Sequence, residues 1–325
     1  PVKEGYFLDL TPYVERDGID MGQYMIQDNL AEYEGKIVGL PWGTFMAMLF
    51  YNKDMFDEAG VSYVTPDWTW SDLESAAART VRRSGTGQVT RWGFNNPLLD
   101  YEYGWRNFVA QNGGTLYNED FTRTLVDSPE VVDAITYLVE LTDRELVNPP
   151  GVRADFLNFD FSMNIRRTAP ILLAFSENPP DWNWGVEILP QGKVRAAGLN
   201  TLVVGVNAST EYPEQAWRLV KYLSSPDAAK QFALLGRAMP SHAAAYGDPE
   251  FFRVWGEMVG QDLTHLAQTL PLQMANPYWV PVHEKEGDIM VNYWRPLGER
   301  LLRENVDPRV FLENIASSVN AILAQ

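Results

Sequence analysis

The chain has 325 residues, 46% hydrophobic and 21% charged, with a formal net charge of −17 and no cysteine. That length exceeds what one compact core usually holds, so two lobes are expected. The negative charge argues against nucleic acid and anionic lipid head groups, and the missing cysteine removes disulfides, thiolate metal sites and cysteine nucleophiles.

The first ten residues, PVKEGYFLDL, hold no basic stretch followed by an apolar run, so no signal peptide is visible in them. A signal removed from an upstream position is compatible with this. Ile37 to Leu40 reads as a short strand stopped by Pro41, after a turn at Gly35-Lys36. Met46 to Tyr51 is an apolar run without helical period and predicts a second, buried strand. Trp42-Gly43-Thr44 then falls at a bend between the two. Ser71-Asp72-Leu73-Glu74 has the pattern of a capping box and opens a helix to about Arg83.

A short helix is predicted from Trp105 to Gln111, ended by Gly113-Gly114, and another starts at Ser128-Pro129. Thr168 to Phe175 (TAPILLAF), Trp184 to Leu189 and Leu202 to Val206 read as strands. Helices are predicted from Pro213, from Ser225-Pro226, from Glu250 to Val259, from about Glu284 to Arg303, and from Pro308 to the end. An irregular stretch from about Leu270 to Val282 precedes the last two. Strands alternating with helices give an α/β class.

His242, His265 and His283 are the three histidines, and they show no HExxH spacing. With no EF-hand loop pattern either, no metal or other cofactor is expected. Aromatic residues make up 13% of the chain, with 11 tryptophans, and several sit among polar residues rather than on periodic faces. Core filling accounts for most aromatic side chains. A ligand cleft floored by rings is the alternative for those in polar contexts.

Gly35-Lys36-Ile37-Val38-Gly39-Leu40-Pro41, followed by Tyr51-Asn52-Lys53-Asp54-Met55-Phe56, Ala59-Gly60 and Thr69-Trp70-Ser71-Asp72-Leu73, resembles the family 1 extracellular solute-binding proteins of ABC importers. The resemblance is to the maltose-binding-protein-like sugar binders. It continues through Asn112-Gly113-Gly114, Gly185-Val186, Leu189-Pro190, Gly198 and Ala216-Trp217 to Val220-Lys221-Tyr222-Leu223, Ser225-Pro226, Lys230 and Phe232. It implies a two-lobed, type II periplasmic-binding fold whose lobes are joined by crossing strands. By resemblance, residues 1–44 and 204–250 form the N-terminal lobe, and residues 45–203 and 251–325 the C-terminal lobe. Family members carry further residues before the LDLTPY-like segment, so the N-terminal lobe is expected to be incomplete in this chain.

The implied function is capture of a carbohydrate between the lobes, without chemistry, by a monomer outside the cytoplasm. That protein, periplasmic or lipid-anchored, would deliver the sugar to the membrane permease of an ABC transporter. Sugars offer apolar faces to rings and hydroxyls to short polar groups. Four segments combine the two: Trp42, Thr44 and Phe45; Asp100, Tyr101, Glu102 and Tyr103; Ser176 and Glu177; and Tyr278 with Trp279. Asn200 is a further hydrogen-bonding candidate. In relatives a stacking Trp often occupies the place of Ser176, which weakens any transfer of maltose specificity. Many acids with aromatics also suit an amine-bearing ligand such as a polyamine. A glycoside hydrolase using Asp100 and Glu102 is a third reading, but its carboxylates would have to flank a bond in space.

Overall fold

The computed structural model describes residues 5–25, 31–152, 160–277 and 284–325, with the backbone alone of 278 and 279. It begins with α1 (Thr11–Asp17), then β1 (Glu32–Tyr33) and β2 (Lys36–Ile37), then β3 (Leu40–Asn52), α2 (Lys53–Ala59) and α3 (Trp70–Thr80). Next come β4 (Arg82–Arg83), β5 (Val89–Phe94), α4 (Trp105–Gln111), α5 (Pro129–Asp143), β6 (Phe161–Arg167) and α6 (Thr168–Glu177). β7 (Trp184–Glu187), β8 (Ala197–Val204), α7 (Pro213–Leu223), α8 (Pro226–Leu234), α9 (Pro249–Val259) and α10 (Leu266–Met274) follow. The chain closes with β9 (Pro277–Trp279), α11 (Glu286–Ile289), a π-helical turn at Met290–Trp294, α12 (Leu297–Glu304) and α13 (Pro308–Leu323).

The chain divides into two compact units. One comprises Pro1–Met46, Arg167–Pro179 and Leu199–Pro271; the other comprises Ala47–Arg166, Pro180–Gly198 and Leu272–Gln325. In the first unit β3 pairs antiparallel with β8, from Leu40 opposite Val204 to Met46 opposite Leu199. The register shifts between Pro41 and Gly43, leaving Trp42 as an extra residue on its strand. Pro41 has no N–H to give a ladder, which suits it to such a bulge. The expected bend is therefore a bulge inside one long strand. The strand expected over Ile37 to Leu40 is split, since Ile37 ends β2 and Leu40 begins β3.

β1 and β2 form a hairpin turning through Glu34 and Gly35, whose φ angles are 51° and 75°. Positive φ at both central positions fits the right-handed twist of the strands and places Gly where only Gly adopts it freely. The core beneath gathers Leu10 and Val14 of the α1 region, Leu40, Val206, and Trp217 and Val220 of α7. Trp217 donates from its indole to the Asp17 carboxylate at 2.9 Å. A second aromatic group joins Phe251, Phe252 and Trp255 of α9, whose indole donates to the Ala233 carbonyl at 2.8 Å.

In the second unit β5 runs parallel to β6, with Trp92 opposite Phe161 and Phe94 opposite Met163. β4 pairs antiparallel with β5, and β7 with the far end of β3. Every residue of α4 is buried. Trp105 on that helix meets Trp294 edge-on, with ring centroids 6.5 Å apart. β6 opens with five consecutive buried residues, and its two polar ones are bonded to β5 and the residue after it, Ser162 donating to the Gly93 carbonyl at 2.6 Å and Asn164 accepting from the Asn95 amide at 3.2 Å.

TAPILLAF forms α6 instead of the expected strand, and the strand is the preceding FSMNIRR of β6. A short apolar run fits a buried helix and a buried strand equally well, and Pro170 in the first turn is tolerated by a helix. The third strand starts earlier than expected, at Ala197, and ends at Val204. The capping box of α3 is Thr69 with Asp72, two residues before the expected one. The helix expected over Glu284 to Arg303 is broken, because Pro296 separates the π-helical turn from α12.

Candidate functional site

In the first unit the bulge determines what residues 42–45 present. Trp42 packs its half-buried ring against Phe232, with centroids 4.2 Å apart. Two residues on, Thr44 is fully buried. Its N–H donates to the Met239 carbonyl at 2.9 Å, its hydroxyl donates to the Pro240 carbonyl at 3.2 Å, and that hydroxyl also meets the Tyr246 hydroxyl. Thr44 thus ties β3 to the segment before α9. Phe45 is half-buried and lies opposite Asn200 across the β3–β8 ladder. The Arg167 guanidinium sits 5.2 Å over the Phe45 ring. Nearby ring, amide and cation are the groups a polyol surface uses.

α6 is anchored to the same strand, as the Thr168 hydroxyl donates to the Met46 carbonyl at 3.2 Å. At its other end the Ser176 hydroxyl donates back to the Leu173 carbonyl at 2.8 Å, and Glu177 is exposed. Ser176 is therefore engaged with its own helix.

In the second unit the segment from Asp100 to Tyr103 is a turn that follows β5 through a 3-10 turn at Pro97–Leu99. One Asp100 carboxylate oxygen accepts from the backbone N–H groups of Glu102 at 2.9 Å and Tyr103 at 3.0 Å, which fixes the turn. The other oxygen lies 3.6 Å from the Arg166 guanidinium. Glu102 is exposed, with Arg295 at 3.8 Å. The two tyrosines turn inward, Tyr101 being 6% and Tyr103 4% exposed. The Arg106 guanidinium lies 4.7 Å over the Tyr101 ring, a cation–π contact that holds it from below.

Glu286 completes this support. It accepts from the Tyr117 hydroxyl at 2.6 Å and from the Tyr101 hydroxyl at 3.4 Å, and the Trp294 indole donates to the Tyr117 oxygen at 3.0 Å. Burial pushes the Glu286 carboxyl above the ordinary range, opposed by the Tyr117 hydrogen bond and the Arg106 charge. Burial, with the charge of Glu286 beside it, pushes the Tyr117 phenol up as well. The network therefore serves as a buried foundation for the turn.

Tyr278 and Trp279 lie in β9, and their side chains are outside the described residues. The structure brings Phe45 together with Asn200, and the residues from Asp100 to Tyr103 with one another, each within its own unit. Sequence reasoning missed Arg166, Arg167 and Arg295. The signal for the first two was present: a charged pair closing an otherwise apolar strand has a reason to be there. Glu286 and Arg295 gave none, since their partners lie far away in sequence. Among the described residues no group of three or more His, Asp or Glu is placed to hold a metal ion.

The family model described as bacterial extracellular solute-binding protein matches residues 2–230. The chain belongs to this family. Its members bind solutes and are not enzymes, and the family is extracellular. No helix among the described residues is long and apolar enough to cross a membrane.

Similar proteins include an arabinooligosaccharide-binding protein of Halalkalibacterium halodurans, 26% identical over 71% of this chain and 55% of that protein. Another is a periplasmic sn-glycerol-3-phosphate-binding protein of Salmonella paratyphi A, 24% identical over 70% of this chain and 56% of that one. The chain thus spans little more than half the length of these relatives. Among solved structures it is similar to an ABC substrate-binding protein from Listeria monocytogenes in complex with cycloalternan. That match has a TM-score of 0.82 and 26% identity over 99% of this chain and 81% of that one. A sugar-binding protein from Xanthomonas citri matches with a TM-score of 0.79 and 21% identity over 100% and 80%. These likenesses give the fold as the two-lobed type II periplasmic-binding fold.

Proposed function

We propose that this chain captures a carbohydrate reversibly and presents it, unchanged, to the membrane permease of an ABC importer. It would act outside the cytoplasm as a monomer, free in a periplasm or tethered at the cell surface, with no nucleic-acid partner. The observation that carries this reading is the fold match over 99% of the chain to an ABC substrate-binding protein in complex with cycloalternan. We take the two compact units as the two lobes, in place of the boundaries drawn from the resemblance. For the ligand we propose the rings of Trp42 and Phe45, with Tyr278 and Trp279, and polar groups from Asn200, Asp100, Glu102, Ser176 and Glu177. Thr44, Tyr101 and Tyr103 hold these segments in shape.

A thermal-shift panel of arabinotriose, maltotriose, cycloalternan, glycerol 3-phosphate and spermidine tests the reading. A ligand selective for the folded state raises the melting temperature, by about 2.7 kcal/mol of stabilisation at a hundredfold excess over Kd. At least one oligosaccharide should do so and be recovered intact after long incubation. Stabilisation by spermidine alone assigns the amine reading instead, and cleavage products overturn binding without chemistry.

A further inference from the structure

Asp100 and Arg166 have a topological relation as well as proximity. β5 and β6 are parallel neighbours. Arg166 stands at the carboxyl end of β6, and Asp100 follows the carboxyl end of β5 by way of a single 3-10 turn. In sheets of this kind ligands bind just beyond the carboxyl ends of parallel strands. Both side chains are partly accessible there, 24% for Asp100 and 38% for Arg166.

Their separation is the second observation. At 3.6 Å the carboxylate and guanidinium do not share a hydrogen bond of the length charged groups make, about 2.7–2.9 Å. One carboxylate oxygen is committed to the backbone of Glu102 and Tyr103, so the other is held in place facing Arg166. A carboxylate only accepts, and a guanidinium only donates. A hydroxyl does both. A pair of adjacent hydroxyls can donate to Asp100 and accept from Arg166 at once. An anionic ligand group would meet the Asp100 charge, and a cationic one the Arg166 charge.

Resting on the carbohydrate reading above, we propose that Asp100 and Arg166 together bind adjacent hydroxyls of an uncharged sugar, Arg166 acting as a specificity-determining residue against charged ligands. Arabinotriose and maltotriose serve as neutral probes and glycerol 3-phosphate as the anionic one. Titration calorimetry compares the parent protein with Arg166→Gln, Asp100→Asn and the double variant; asparagine keeps the oxygen that caps the turn.

The expected result is that each single variant weakens a neutral trisaccharide about tenfold or more. The double variant should lose less than the product of the two, as groups sharing one ligand do. The unliganded melting temperature should stay within about 2 °C, since a partly exposed ion pair contributes little stability. Unchanged trisaccharide affinity in Arg166→Gln overturns the pair's role while leaving the carbohydrate reading intact. So does tight binding of glycerol 3-phosphate that Arg166→Gln abolishes, because Arg166 is then an anion site. If neither trisaccharide nor any other oligosaccharide of the panel binds the parent protein, the carbohydrate reading falls and this assignment with it.

Discussion

His242 shows how a residue with no visible role still shapes behaviour. It is 6% exposed, with its ring 4.6 Å from that of Tyr24. Neither ring nitrogen has a hydrogen-bond partner among the described residues. Burial pushes its pKa below the ordinary 6.5. The folded chain therefore keeps this imidazole neutral at a pH where the unfolded chain takes up a proton. Stability is full above about 6.5 and falls as pH drops from there toward the depressed folded value. The melting temperature should decline between pH 7 and pH 5.5, and His242→Phe should flatten that decline. An identical slope in the variant refutes the assignment. Nothing in the sequence around His242 announced this, because burial without a partner is set by Tyr24 from a distant segment.

At the scale of elements, local signals were read well where one chemistry had one solution. α7, α8 and α13 begin at Pro213, Pro226 and Pro308 as expected, with Ser225 accepting from the Ala228 N–H at 3.3 Å, and α4 spans Trp105–Gln111 as expected. Errors arose where two solutions competed. Before α3 both Thr69-x-x-Asp72 and Ser71-x-x-Glu74 fit the capping pattern. The structure selects the first, with the Asp72 carboxylate accepting from the Thr69 N–H at 2.8 Å. Thr69→Ala should accordingly cost about 1 kcal/mol, read as a lower unfolding midpoint in urea. Ser71→Ala, on an exposed position past the cap, should change stability by less than about 0.5 kcal/mol. Equal costs at the two positions contradict the cap. TAPILLAF is a second such case: no apolar run of eight residues states its own period.

For the whole molecule, class and family order were legible because they rest on many weak motifs spread along the chain. The site was legible only in part. Asp100 and Glu102 announced themselves as acids among rings, whereas the Glu286 network depends on contacts between segments far apart in sequence. The same non-locality governs stability. Trp217 fills a core with Leu10 and Val14, and no local helix energy replaces it. Trp217→Ala should destabilise the first unit by about 3–5 kcal/mol, as truncation of a fully buried Trp does. Denaturant unfolding monitored by circular dichroism checks this, and a loss under about 1 kcal/mol would mean the core closes without that ring.

That core also sets a timetable for biosynthesis. Leu10 and Val14 leave the ribosome well before Trp217, which packs in the same core. At about 5–20 residues per second, translation of the intervening chain takes on the order of 10–40 s. Throughout that interval Leu10 and Val14 can meet Leu40 but not Trp217 or Val220. The core of the first unit therefore closes only after Trp217 and Val220 have been made.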